Sequence, residues 1–159
     1  MLALAACSSE PASSLRCKDY EDPALYAASA GFASDVLPIF ERSCNFGACH
    51  GSSAERPQED LWLGPHETSM EATAAERSAI IDGLVGVRAH LADMAHVVPG
   101  EPAQSFLLAK LEYTDFSACE TNGCAKLRCG GRMPRADPPL TEDELALIRT
   151  WIRDGARDD

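Results

Sequence analysis

The sequence predicts an all-α domain with long loops. Three observations carry this. Apolar residues recur at helical spacing in four stretches, and the last opens on a complete capping-box pair, Thr141 and Glu144. No stretch shows the period-2 alternation of a half-buried strand. The connections between the four stretches are long, and loops of that length need a physical reason.

The first helix is expected over Ala33 to Ser43, with Val36, Leu37, Ile39 and Phe40 on its apolar side. Pro38 is expected within its first turn, where a missing N–H costs nothing. Gly51 to Gln58 reads as loop, and Leu61-Trp62-Leu63-Gly64-Pro65 as a short extended or turn segment ended by Gly-Pro. A second helix is expected from about Met70 to Leu84, with Gly83 and Gly86 marking its end. The third follows Val98-Pro99-Gly100, with Pro102 at its start and Phe106, Leu107, Leu108 and Leu111 inward. In the fourth, Leu145, Ile148, Trp151 and Ile152 form the buried stripe, and Gly155 is a natural stop. Residues 1–20 read as tether and 21–159 as one domain.

A chain of 159 residues fits one ordinary domain, which excludes an enzyme with a separate cofactor domain. Fourteen Lys and Arg stand against 25 Asp and Glu, a formal net charge of -11. That balance argues against binding nucleic acid or anionic lipid, both of which need concentrated positive charge. A basic partner protein, or simple solubility, suits it better. No internal apolar run approaches the length of a membrane span. Seven cysteines are the unusual item.

The stretch Cys44-Asn-Phe-Gly-Ala-Cys49-His50-Gly51 is chemically the most specific. Two thiols followed at once by an imidazole suit covalent haem attachment. The thiols add across the two vinyl groups, and the adjacent histidine is thereby placed under the iron. The usual spacing has two residues between the cysteines. Here there are four, a less common variant, and the extra residues must bulge outward past the small Gly47 and Ala48. Cysteine and histidine at short intervals also bind zinc. A large cofactor would supply the reason for the long loops.

The surrounding motifs extend this reading. Asp35-Val-Leu-Pro-Ile-Phe40 ahead of Cys44 resembles the N-terminal helix of small c-type cytochromes. Val97-Val-Pro-Gly-Glu-Pro-Ala-Gln-Ser105, Gly130-Gly-Arg-Met133-Pro134 and Leu140-Thr-Glu-Asp-Glu-Leu-Ala-Leu-Ile-Arg-Thr-Trp-Ile152 follow in order. Together they are similar to the planctomycete-type cytochrome c domains of exported bacterial proteins, over roughly residues 33 to 157. The resemblance implies a cytochrome c-like fold of about four helices around one covalent haem c. It implies an electron carrier rather than an enzyme, with Cys44 and Cys49 as thioether attachments, His50 as proximal ligand and Met133 as distal ligand. A thioether is a soft, neutral ligand that favours ferrous iron. Met70 and Met94 read as surface or gap-filling side chains. His66, His90 and His96 are each a surface residue or an alternative distal ligand, His96 the best placed of the three.

Leu4-Ala5-Ala6-Cys7 resembles the lipobox of bacterial lipoproteins, which implies acylation at Cys7, export, and a membrane hold through lipid alone. The apolar run before it is short for an export signal and no basic region precedes it, so a start further upstream is expected. Cys17, Cys119, Cys124 and Cys129 remain, an even number that allows two disulfides in three connectivities. Redox partner proteins with a basic docking surface are the expected partners. The alternative is a zinc- or disulfide-stabilised interaction module without haem, drawing on Cys44, Cys49 or His50, Cys124 and Cys129. A haem peroxidase or sensor would require Met133 to be off the iron.

Overall fold

The computed structural model describes residues 18–51, 57–65, 72–113, 130–135 and 138–159. Cys7, Cys17, His66, Met70, Cys119, Cys124 and Cys129 lie outside the described residues, and with them the expected lipid anchor and disulfides. Among the described residues four α-helices follow one another: α1 Leu37–Ser43, α2 Ala74–Leu84, α3 Phe106–Glu112 and α4 Glu142–Arg153. Single 3-10 turns occupy Pro23–Leu25, Gln58–Asp60 and Pro102–Gln104. Among the described residues there is no strand, only isolated bridges pairing Val85 with Val97 and Arg88 with Ala95. The described residues are all-α, as the periodicity implies.

A π-turn, Phe32–Val36, runs directly into α1, so the first helical stretch covers nearly the span expected. Pro38 is the second residue of α1 and so lies within its first turn, as expected. It follows the π-turn, in which the Leu37 N–H reaches back to the Phe32 carbonyl. A proline inside a helix offers no N–H and crowds the carbonyl four residues back, and a widened turn relieves both problems.

Helix α2 starts at Ala74, later than the apolar spacing suggests. Thr73 stops it short by capping: its hydroxyl accepts the Glu76 N–H at 3.3 Å, and the Glu76 carboxylate accepts the Thr73 N–H at 2.7 Å. Helix α4 starts where its capping box places it, with Thr141 and Glu144 bonded reciprocally. Gly155 follows α4 at φ 110°, a left-handed conformation in which glycine is unstrained.

The core lies where the first helical stretch meets α4. The Phe32 ring sits 5.3 Å from Trp151 and edge-on to Phe40 at 6.3 Å, and all three rings are buried. Leu145, Ile148, Trp151 and Ile152 are buried as the helical stripe predicts, but so are Arg149 and Thr150. The segment leading to Ala27 covers them. Thr150 Oγ1 accepts the Ala27 N–H at 2.9 Å, and Arg149 donates to the Leu25 carbonyl at 3.1 Å. Tyr20, at the end of the stretch that composition marks as tether, is itself buried against Glu112 and Tyr113. The packed domain therefore includes residues on the tether side of the expected boundary.

Candidate functional site

The site is built outward from the end of α1. Cys44 caps that helix, its N–H still bonded to Phe40, and Asn45 donates to the same carbonyl at 3.0 Å. The chain then turns sharply. Cys49 and Gly51 both donate to the Phe46 carbonyl, and His50 donates to the Cys44 carbonyl at 3.2 Å. Between the cysteines Asn45 is buried while Phe46 stands 38% exposed, so only part of the intervening loop faces outward. Gly51 closes the loop against the Asn45 backbone, where a Cβ would fall 1.5 Å from the Asn45 oxygen. No other residue fits there. Cys44 and Cys49 are both thiols.

His50 is gripped from the facing segment. Leu61 and Leu63 bracket it: the Leu63 N–H donates to the His50 carbonyl at 2.8 Å, and His50 Nδ1 lies 2.9 Å from the Leu61 carbonyl. A carbonyl only accepts, so Nδ1 must carry the proton. Burial holds the imidazole below the ordinary histidine range, although hydrogen bonds to the Leu61 and Gln58 carbonyls pull the other way. The ring is therefore neutral, and in this tautomer its lone pair is on Nε2. This is the tautomer a metal-ligating histidine needs, fixed by a backbone carbonyl behind it.

The turn that delivers Leu61 is strained. Glu59 and Asp60 are consecutive non-glycine residues at φ 58° and 55°. Each such residue costs on the order of 1 kcal/mol or more and persists only where surrounding contacts hold it. Here the Gln58 N–H bonded to the Cys49 carbonyl at 2.9 Å ties the turn to the cysteine loop.

Met133 is partly buried against the core. Its N–H donates to the Lys110 carbonyl at 2.6 Å. The Lys110 ammonium, pulled down to about 8 by burial, is close enough to His50 to disfavour that ring's protonation. The Met133 loop and the His50 loop thus share Lys110 as a neighbour. Met94 is a buried core residue, in keeping with a gap-filling role, and His90 is exposed.

His96 is neither a surface residue nor remote from the site. Only 8% exposed, it lies within electrostatic reach of His50 and His90. Burial above all, then those two neighbours, brings its pKa down to about 4. A histidine depressed in the fold contributes stability that is full above the ordinary value of 6.5 and is lost as the pH falls through about 4. The protein is expected to be about 3 kcal/mol less stable at pH 4 than at pH 7 on this account. Urea titrations of His96→Leu should show a flatter pH dependence over that window, and an unchanged slope would rule this origin out.

Among the described residues, no three His, Cys, Asp or Glu side chains gather closely enough to hold a metal ion. A tetrahedral zinc site requires such a group, and the zinc reading draws on Cys124 and Cys129, which lie outside the described residues. A haem iron receives four ligands from its porphyrin and asks the protein for axial ligands only. The Trp62 indole nitrogen, between the two leucines that bracket His50, is buried and has no hydrogen-bond partner. A buried donor left unpaired costs about 1–3 kcal/mol, and a haem carboxylate is a group that would satisfy it. The residues present thus fit haem c in their donor set.

The capping of α2 by Thr73, the role of Gly51 and the grip of Leu61 on His50 were not anticipated. Only the first had a local signal, Thr-Ala-Ala-Glu. No helix among the described residues is long and apolar enough to cross a membrane. Comparison with known proteins gives no matching family model, no matching curated protein and no matching solved structure.

Proposed function

We propose that the chain is an electron-transfer protein of cytochrome c-like fold. In this reading it holds one haem c through Cys44 and Cys49, with His50 as proximal and Met133 as distal ligand. The observation that carries the proposal is the state of His50. Directly after the second of two thiols, a neutral imidazole is locked by Leu61 in the tautomer that frees Nε2. When bound, the haem supplies a one-electron iron couple. The protein's part is to hold and shield. Cys44 and Cys49 anchor from one loop, Leu61 and Leu63 fix the ring, and the core flanks the site.

Covalent haem belongs to an exported chain, and Cys7 would then be its lipid anchor. An acidic surface suits a redox partner with a basic docking face. Cys17, Cys119, Cys124 and Cys129 would supply disulfides in that compartment.

The test is an optical spectrum of the exported protein, oxidised and then reduced. Sharp α and β bands on reduction, in a pigment that resists acid-acetone extraction, are expected. A colourless protein containing zinc would overturn the proposal. Met133→His should keep the haem and lower the potential by on the order of 100 mV, because imidazole stabilises ferric iron better than thioether does. The weak near-infrared sulfur-to-iron band of the ferric protein should vanish with it. Its persistence would remove Met133 from the iron.

A further inference from the structure

We propose that Lys110 is the positioning residue of the Met133 loop, holding that loop at two points from one place on α3. The inference rests on the reading of Met133 as distal ligand. At the first point the Lys110 carbonyl accepts the Met133 N–H at 2.6 Å. That carbonyl is in the last turn of α3. At the second point the Lys110 ammonium donates to the Gly131 carbonyl at 2.6 Å. The two bonds bracket Arg132 and leave the intervening backbone little freedom.

Three features make Lys110 a fixed post rather than a wandering surface lysine. Its helix is immobilised by a nearly continuous buried run, Phe106, Leu107, Leu108, Ala109 and Leu111. Its stem lies along that helix, with the ammonium 6.0 Å from the Phe106 ring centroid. The loop is cut to receive it: Gly130 adopts φ 65°, and a Cβ there would come within 3.3 Å of the Lys110 nitrogen. A side chain at 130 would meet both backbone strain and the ammonium.

A soft axial thioether is a weak ligand, so its hold on iron depends on how well the loop is kept in place. The charge-assisted bond to Gly131 is the part that a side-chain substitution removes, since the main-chain bond to Met133 survives any replacement. Lys110→Met keeps the stem and loses the donor. Lys110→Arg keeps a charged donor.

The experiment measures binding of added imidazole to the ferric holoprotein, which competes with Met133, together with the sulfur-to-iron band. Lys110→Met is expected to retain covalent haem, to weaken the band and to bind imidazole about tenfold more tightly, the effect of losing one such bond. Lys110→Arg is expected to stay within about twofold of the parent, on the same energetic scale. Unchanged imidazole affinity in Lys110→Met, or an equal rise in Lys110→Arg, would overturn the proposal. Gly130→Ala disturbs the same contact from the loop side and is read the same way should Lys110→Met fold poorly. Absence of covalent haem from the parent would instead sink the functional reading. A haem-bearing parent without the sulfur-to-iron band would remove Met133 as ligand, and this inference with it.

Discussion

A chain carrying Cys44→Ser and Cys49→Ser together is expected to hold no haem that survives denaturation. The reasoning is chemical before it is structural. A thiolate adds to a vinyl group, whereas a serine hydroxyl of the same shape is a far poorer nucleophile. The two positions are not equivalent in the fold. Cys44 is buried at the end of α1, its backbone still bonded to Phe40, whereas Cys49 is half-buried in the loop next to His50. Each single variant should therefore keep one attachment at reduced yield, and only the pair should abolish it. Haem staining after a denaturing gel reads the result. Helical circular dichroism guards against simple misfolding. Haem that stays on the doubly substituted chain under those conditions would exclude both cysteines as its attachment points.

Glu112→Gln is expected to cost about 3–5 kcal/mol of stability, the usual penalty for removing one partner of a buried ion pair. Glu112 and Arg149 have side chains only 4% and 1% exposed, joined at 2.5 Å between Arg149 Nε and Glu112 Oε1. Burial disfavours the charged guanidinium, but the hydrogen bonds and charges of Glu112 and Glu142 together outweigh it. The same carboxylate accepts from the Tyr20 hydroxyl at 2.8 Å and lies 3.5 Å from the Lys18 ammonium. Glu142 also bonds Arg149, at 3.1 Å, but its side chain is 74% exposed and cannot replace a buried counter-charge. Tyr20 and its neighbours should loosen from the end of α3 along with the pair. Adding Arg149→Met to Glu112→Gln removes the orphaned charge and should recover much of the loss. Denaturant titrations decide it. If the single and double variants are equally unstable, the ion pair is not the source.

The parts of this protein that were legible in its sequence are those decided within a few residues. The capping pair Thr141 and Glu144 acts across three positions, so the start of α4 could be read directly. The π-turn before Pro38 is also a local matter, yet spacing alone does not show it, because the proline tolerates two helical settings. Two thiols and an imidazole adjacent in the chain announce their chemistry without any fold. The neutral tautomer of His50, by contrast, depends on a carbonyl 11 residues away, and the setting of Met133 on contacts 21 or more residues distant. Arg149 is the clearest case. Its charge leaves it out of the apolar stripe of α4, but Glu112 and the segment at Leu25 fold over it and bury it. Periodicity tells which face of a helix is apolar. Which distant carboxylate or carbonyl arrives to satisfy a polar group on it is settled only when the chain closes on itself, because burial, and with it the strength of every such bond, is a property of the assembled fold.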